Sequence, residues 1–314
     1  MKNVHRLTEG AVFLAIFSVI LLMSIYIPIL GVVSSLFLSI PFILYSVKND
    51  RKSSIVFLVA SLFITFIVGT VLSLPLTLLF GMIGIVMGDQ LRMKQSRTRV
   101  YIAASITFLI NFVFIYIVSV VLFKVNFVEE MFEILRESQE AAIQMLTTFG
   151  QVPSAKDIEK YETGLIMAES LTPTLFVMAS FTTVLIIQSV SFPIIRRLKV
   201  EVEKWSGFKD LVFPRSLLWY YLFVTIASLF LDLPIGSYWY LAFVNLAFIL
   251  QLLLVIQGLS FTYFYSSVKG FPRVIPIIAT ILLFIHPLAL HIMRILGIID
   301  LGFEFRGRLK NDTR

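Results

Sequence analysis

Residues 10–47, 53–88, 100–123 and 233–268 of this chain carry no charged side chain. A run of about 20 apolar residues suffices to cross a bilayer as a helix. Several such runs in one chain exclude a soluble enzyme, a disordered tail and a fibrous protein. Composition agrees, with 58% hydrophobic and 14% charged residues among 314, where a soluble domain carries about 25% charged. The fold class expected is all-α, a polytopic transmembrane helical bundle.

Nine spans are expected, at about 10–28, 32–47, 54–72, 75–88, 100–123, 171–195, 216–232, 238–266 and 274–298, with eight as the alternative. Lys2 and Arg6 before the first run resemble the start of a secretory signal. That run exceeds a signal's apolar region of about 7–15 residues and lacks a small-residue cleavage site. It reads as a retained first helix. Turns follow from Pro28 to Gly31 and at Pro75, where a fixed φ ends the preceding element.

Charge sets orientation. With the N-terminus inside, the basic loops 48–52, 92–99, 196–215 and 269–273 all fall on the cytoplasmic side, while loops 28–31, 73–75 and 233–237 carry no basic residue. This follows the positive-inside rule and puts the N-terminus on the cytoplasmic side of the membrane. The tail, with Arg306, Arg308, Lys310 and Arg314, conflicts with nine spans. Either it is an exception or one late stretch does not cross.

Four segments result: a five-helix membrane region at 1–123, an insert at 124–170, the sixth span with its basic loop at 171–215, and a three-helix region with tail at 216–314. The insert holds nine acids and four bases. Val128, Met131, Phe132, Leu135, Ala142, Met145, Leu146 and Phe149 recur at helical spacing. Gly150 and Pro153 interrupt, and Ser154 to Asp157 reads as the cap of a second short helix. The pair is expected outside, either amphipathic on the membrane surface or a lid over an outward-facing site.

Motifs for chemistry are absent. No P-loop, zinc-protease, nucleophile-elbow or dinucleotide fingerprint occurs. There are no cysteines and three histidines, and His286 and His291 lie about 140° apart around a helix, a poor geometry for one metal. No cofactor, metal or enzymatic activity is expected. The net charge of +7 reports orientation and does not point to nucleic acid.

Polar residues inside spans are few: Asn111, Gln188, Asn245, Gln251 and Gln257. Lipid offers them no partner, so they face other helices or a ligand. No acid or lysine is expected near a span centre unless Asp232 lies deep, which argues against a self-powered carrier. Asn111, Tyr26 and Thr174 are the expected ligand-binding residues. Ala11, Ala15 and Ser18 form a small face on the first helix, and Gly81, Gly84 and Gly88 another on the fourth. Such faces serve internal packing or a separate partner helix. Trp219 to Tyr221 and Tyr238 to Tyr240 read as interface anchors.

The segment Leu7-Thr8-Glu9-Gly10-Ala11-Val12-Phe13-Leu14-Ala15, then Tyr26-Ile27-Pro28 and Leu44-Tyr45-Ser46-Val47-Lys48, resembles the YybS-like family of uncharacterised multi-pass bacterial membrane proteins. Gln257-Gly258-Leu259-Ser260, Leu296 to Asp300 and Phe303 to Arg306 fit the same family. More distantly, residues 7–123 and 171–197 resemble the six-helix S component of energy-coupling-factor vitamin transporters. That resemblance implies a small-molecule ligand near the outer side. It also implies docking of the Ala11 and Ala15 face on a transmembrane coupling subunit, with ATPase partners supplying energy. The insert and the three late spans depart from it. A small-molecule-binding or uptake subunit and a non-transporting scaffold or regulator are therefore both expected classes, with the bilayer as partner in either.

Overall fold

Without charge to place in water, an apolar stretch buries its backbone polar groups most simply by coiling into a helix. A computed structural model describes residues 2–231, 233, 234, 236–303 and 305–311, with the side chains of 2–5, 308, 310 and 311 excepted. Asp232, Glu304 and Arg314 lie outside the described residues, as do the side chains of Lys2, Arg308 and Lys310.

The helices in chain order are α1 (Lys2–Tyr26), α2 (Pro28–Ser35), α3 (Ser39–Lys48), α4 (Arg51–Val68), α5 (Leu74–Arg92), α6 (Arg97–Phe123) and α7 (Phe127–Thr148). Then follow α8 (Ala155–Ser170), α9 (Thr172–Arg197), α10 (Ser216–Phe230), α11 (Tyr238–Val268), α12 (Val274–Ile285), α13 (Pro287–Phe303) and α14 (Phe305–Asn311). Among the described residues no strand occurs. The chain is an all-α, polytopic helical protein, as expected.

Among the described residues each of the nine expected stretches is mainly helical. Seven are long and apolar enough to cross a bilayer: Arg6–Tyr26, Pro28–Lys48, Arg51–Val68, Val71–Arg92, Arg97–Phe123, Thr172–Arg197 and Tyr238–Val268. The other two are shorter. α10 has 15 residues and α12 has 12, which at 1.5 Å per residue reach about 22 and 18 Å against a core of about 30 Å. The ninth stretch is not one helix, because Pro287 holds His286 in an extended conformation at φ −130° and ψ 120°.

The chain divides into two compact units: Met1–Gln151 with Leu175–Trp205, and Val152–Thr174 with Ser206–Arg314. In the first, Phe17, Phe42, Phe57 and Tyr45 form a run of ring contacts with centroids 5.3, 5.1 and 4.6 Å apart. Phe80, Ile83 and Met87 of α5, Val100 and Ala104 of α6, and Val184, Ile187 and Phe192 of α9 complete this core. α3 and α5 approach almost backbone to backbone. A Cβ at Gly84 would lie 2.7 Å from the Ser39 carbonyl oxygen, and one at Gly88 would lie 2.6 Å from that of Ile43. The glycines of α5 therefore serve internal packing.

In the second unit, α11 and α13 run in opposite directions, with Thr262 near Met293 at one end and Leu250 clustered with Leu301 at the other. They cross at Gly258 and Gly297. A Cβ on Gly258 would overlap the Met293 carbonyl, and one on Gly297 the Leu254 carbonyl.

Both helices of the insert form. α7 buries only Phe132 and leaves Met131, Ile134, Met145 and Phe149 exposed. α8 opens on Ser154, whose Oγ accepts from the Asp157 amide at 3.3 Å.

Candidate functional site

The expected ligand-binding residues occupy separate hydrogen-bonded settings. Tyr26 is 63% exposed, and its hydroxyl donates to the Val68 carbonyl at 2.9 Å. Asn111 is half-buried, and its Nδ2 donates to Thr107 O, one turn back on α6, at 2.8 Å. The next residues on that helix, Phe112 and Tyr116, join Phe127 and Phe176 in an aromatic cluster. Thr174 belongs to the second unit and is fully buried there. Its amide and hydroxyl both donate to Asn245 Oδ1, at 3.0 and 2.6 Å, and Asn245 Nδ2 donates to the Ser170 and Leu241 carbonyls. Asn245 thus ties the start of α9 to α11 through hydrogen bonds between elements, the ordinary role of an amide in a span.

Gln188 is different. It is fully buried, and neither of its amide atoms finds a partner; Ser191 Oγ, nearly one turn further along α9, has none either. An unpaired buried amide costs about 1–3 kcal/mol. Lipid would not relieve that cost, whereas water or a ligand group would.

The small face of α1 points away from its own unit. Ala11 and Ala15 are exposed, with Val12, Ile16 and Val19 beside them. Ser18 is half-buried and returns its hydroxyl to the Leu14 carbonyl at 2.8 Å.

The densest polar constellation is one the sequence reading missed. Asp300 of α13 is 5% exposed. Arg306 Nη2 lies 2.8 Å from Asp300 Oδ2, and Nε donates to both carboxylate oxygens at 3.1 and 3.0 Å. Gln257 Nε2 donates to the same carboxylate at 2.5 Å, while Gln257 Oε1 accepts from the Phe213 amide at 2.9 Å. Ser260 Oγ donates to the Phe208 and Leu211 carbonyls, and Arg306 Nη1 to Lys209 O at 2.7 Å. Segment 208–213 is thereby fastened to α11 and α14.

Asp300 lies on α13, which is not among the helices long and apolar enough to cross a bilayer, yet it is buried against one that is. Gln257 lies about 16 Å from the C-terminal end of α11, and Asp300 meets it there. Ending the ninth stretch at residue 298 left Asp300 outside it, whereas α13 runs on to Phe303. The usable signal was the pairing of Gln257-Gly258 with Gly297 and Asp300, because two glycines that let helices touch also bring their polar neighbours together. The network further removes Arg306 from the charges that count for the side of the tail, since its charge is matched by Asp300.

His286 Nδ1 accepts from the Leu288 amide at 3.2 Å, and His291 Nδ1 lies 2.8 Å from Arg294 Nη2. These contacts are local to the start of α13.

Comparison with known proteins places these features. A family model described as "Predicted membrane protein (DUF2232)" matches residues 15–301. "Uncharacterized protein YybS" of Bacillus subtilis (strain 168) is 30% identical over 311 residues, covering 99% of this chain and 100% of that protein. No solved structure matches. The match runs across both units, from the small face of α1 to the Asp300 network, and accords with the resemblance carried by the short motifs at either end. This integral membrane protein belongs to the predicted membrane protein family DUF2232.

Proposed function

We propose that this protein is a small-molecule-binding or uptake subunit of the bacterial cytoplasmic membrane, resembling an S component. Its N-terminus lies in the cytoplasm, it catalyses no reaction, and it works with a transmembrane coupling subunit and ATPases. The observation that carries this reading is the outward-facing Ala11 and Ala15 surface of α1. A surface of small residues lets a second helix approach closely. The comparable glycines of α5 are consumed by α3, whereas the alanines of α1 are left for something outside the unit. The unpaired Gln188 amide supports a ligand among the helices of the first unit, where Asn111 and Tyr26 are the polar residues the sequence nominates; Thr174, the third, lies in the second unit. The charge pattern supports the orientation: the ends of α3, α5 and α9 and the starts of α1, α4 and α6 carry the basic residues.

The test is gentle solubilisation from native membranes followed by native mass spectrometry. The intact protein is expected to bring a membrane subunit, ATPases and a small molecule. Ala15→Leu should weaken the association by about 1–2 kcal/mol with normal protein yield. A variant that retains every partner at unchanged stoichiometry would remove the support for docking through α1.

A second reading, a scaffold or regulator without transport, draws on the second unit. α10 to α14, with their own ionic network, have no counterpart in a six-helix S component. Recovery of protein partners without a bound molecule or ATPases favours it.

A further inference from the structure

The ends of α3 and α5, the turn into α6 and the segment after α9 enclose an open cleft of about 980 Å³ in the first unit. Its charged lining is Lys48, Arg92, Lys94, Lys199, Glu201 and Glu203. Several of these charges are already engaged. Lys48 Nζ lies 2.5 Å from Glu9. Arg92 is paired with Asp89 and donates to the Asn49 carbonyl, and Asp89 also receives Arg51 at 2.8 Å, so one carboxylate answers two guanidiniums. Glu203 accepts from the Arg97 amide at 3.0 Å, its carboxylate sitting on the N-terminus of α6. Lys94 and Lys199 form no ion pair among the described residues.

Those two lysines share an unusual backbone. Each is the second residue past a helix end, at φ 51° and 65°, in the left-handed region where glycine is usual. In both turns the next amide reaches back to close the helix, Gln95 to Gln90 O at 3.0 Å and Val200 to Ile195 O at 3.2 Å. Lys124 ends α6 in the same way at φ 58° and does not line the cleft. A left-handed lysine by itself is thus a capping habit of this chain. What sets Lys94 and Lys199 apart is that two separate helix ends each bring a lysine with no ion pair among the described residues to the lining of one cleft. A helix C-terminus contributes only about half a negative charge, so each lysine leaves its end net positive.

We propose that this cleft binds a phosphate-bearing group through Lys94 and Lys199, as point charges suited to a phosphate, either the headgroup of an anionic lipid or a soluble phosphate compound. Glu203 marks the anion-accepting character of the α6 start, and the exposed Glu201 is the competing charge in the lining. This site is independent of the uptake reading and of its ligand.

The chemistry is tested on the full chain in neutral detergent, titrated with short-chain phosphatidylglycerol or with inorganic pyrophosphate. Binding is followed by native mass spectrometry and by thermal unfolding. One probe is expected to bind as a single saturable equivalent. Because glycine suits both backbone positions, Lys94→Gly with Lys199→Gly should keep or raise the unfolding temperature. The same pair should weaken binding at least about tenfold, as expected from losing two charges near an anion. Lys124→Gly should leave binding unchanged, and Glu201→Gln should strengthen it. Saturation by pyrophosphate identifies a soluble source, and saturation by the lipid alone identifies a headgroup. Binding of neither probe, an unaffected double variant, or an equal loss in Lys124→Gly overturns the proposal.

Discussion

Removing the guanidinium of Arg306 should be far more damaging than removing the whole ion pair. The Asp300 side chain is 2% exposed and that of Arg306 is 13%. In Arg306→Met the carboxylate keeps Gln257 as its one partner among the described residues, and segment 208–213 loses the donor that holds Lys209 O. Stranding a buried charge costs about 3–5 kcal/mol, whereas replacing both members of a pair by apolar groups is often neutral. Arg306→Met should therefore lose about 3–5 kcal/mol, and Asp300→Leu with Arg306→Met less than half of that. The assay is thermal unfolding of the detergent-solubilised chain, where such a loss corresponds to a drop of roughly 10 °C for a domain of this size. Hydrogen exchange over 208–213 supplies a local readout, since the amide of Phe213 is held by Gln257. If the single and double variants lose the same stability, the pair does not act as an electrostatic unit and the reasoning fails.

Gly297→Ala should cost about 1–3 kcal/mol by overpacking, because its Cβ would meet the Leu254 backbone. Gly164→Ala, where nothing lies within 4 Å, should be neutral or stabilising in the same melt. Gln188→Leu removes an unpaired buried amide and should stabilise the empty protein by about 1–3 kcal/mol while abolishing retention of any copurifying molecule; a destabilised variant would show the amide has a structural partner. At the α3–α4 turn, the Ser53 hydroxyl bonds Asp50 at 2.8 Å and, with Arg6, holds its carboxyl below the ordinary value of 3.8. A depressed acid stabilises the fold above its unfolded value, and that contribution is lost as pH falls through the folded one. The Arg6–Asp50 contact should therefore persist at pH 5 and open only once the pH has fallen below the ordinary carboxyl value, and Ser53→Ala should move its titration upward in a carboxylate-resolved NMR measurement.

The spans were legible because an uncharged run of 20 residues has few alternatives to a membrane helix. The α5 glycines and the cap at Ser154 were legible as local patterns. What sequence could not rank was which small face is used inside. Ala11 with Ala15 and Gly84 with Gly88 share one spacing, and only the placement of α3 separates them. Asp300 and Arg306 were visible as tail charges, but their burial depends on Pro287 breaking the last stretch and on α13 packing back along α11. Lys94 and Lys199 are about a hundred residues apart, and nothing local announces that their helix ends converge.

The close fit of α3 against α5 also sets an order of events during synthesis. More of the Pro28–Lys48 span is buried than of any other span, with Ser39 through Ser46 all enclosed. Yet this segment leaves the ribosome before α4 and α5, which cover it. Until Gly84 and Gly88 arrive, the surface that will face them is open to lipid. The nascent chain therefore carries an early, incompletely sheltered helix that a later one completes. Truncation between α4 and α5 would halt assembly at the stage where insertion machinery and membrane proteases have most to recognise.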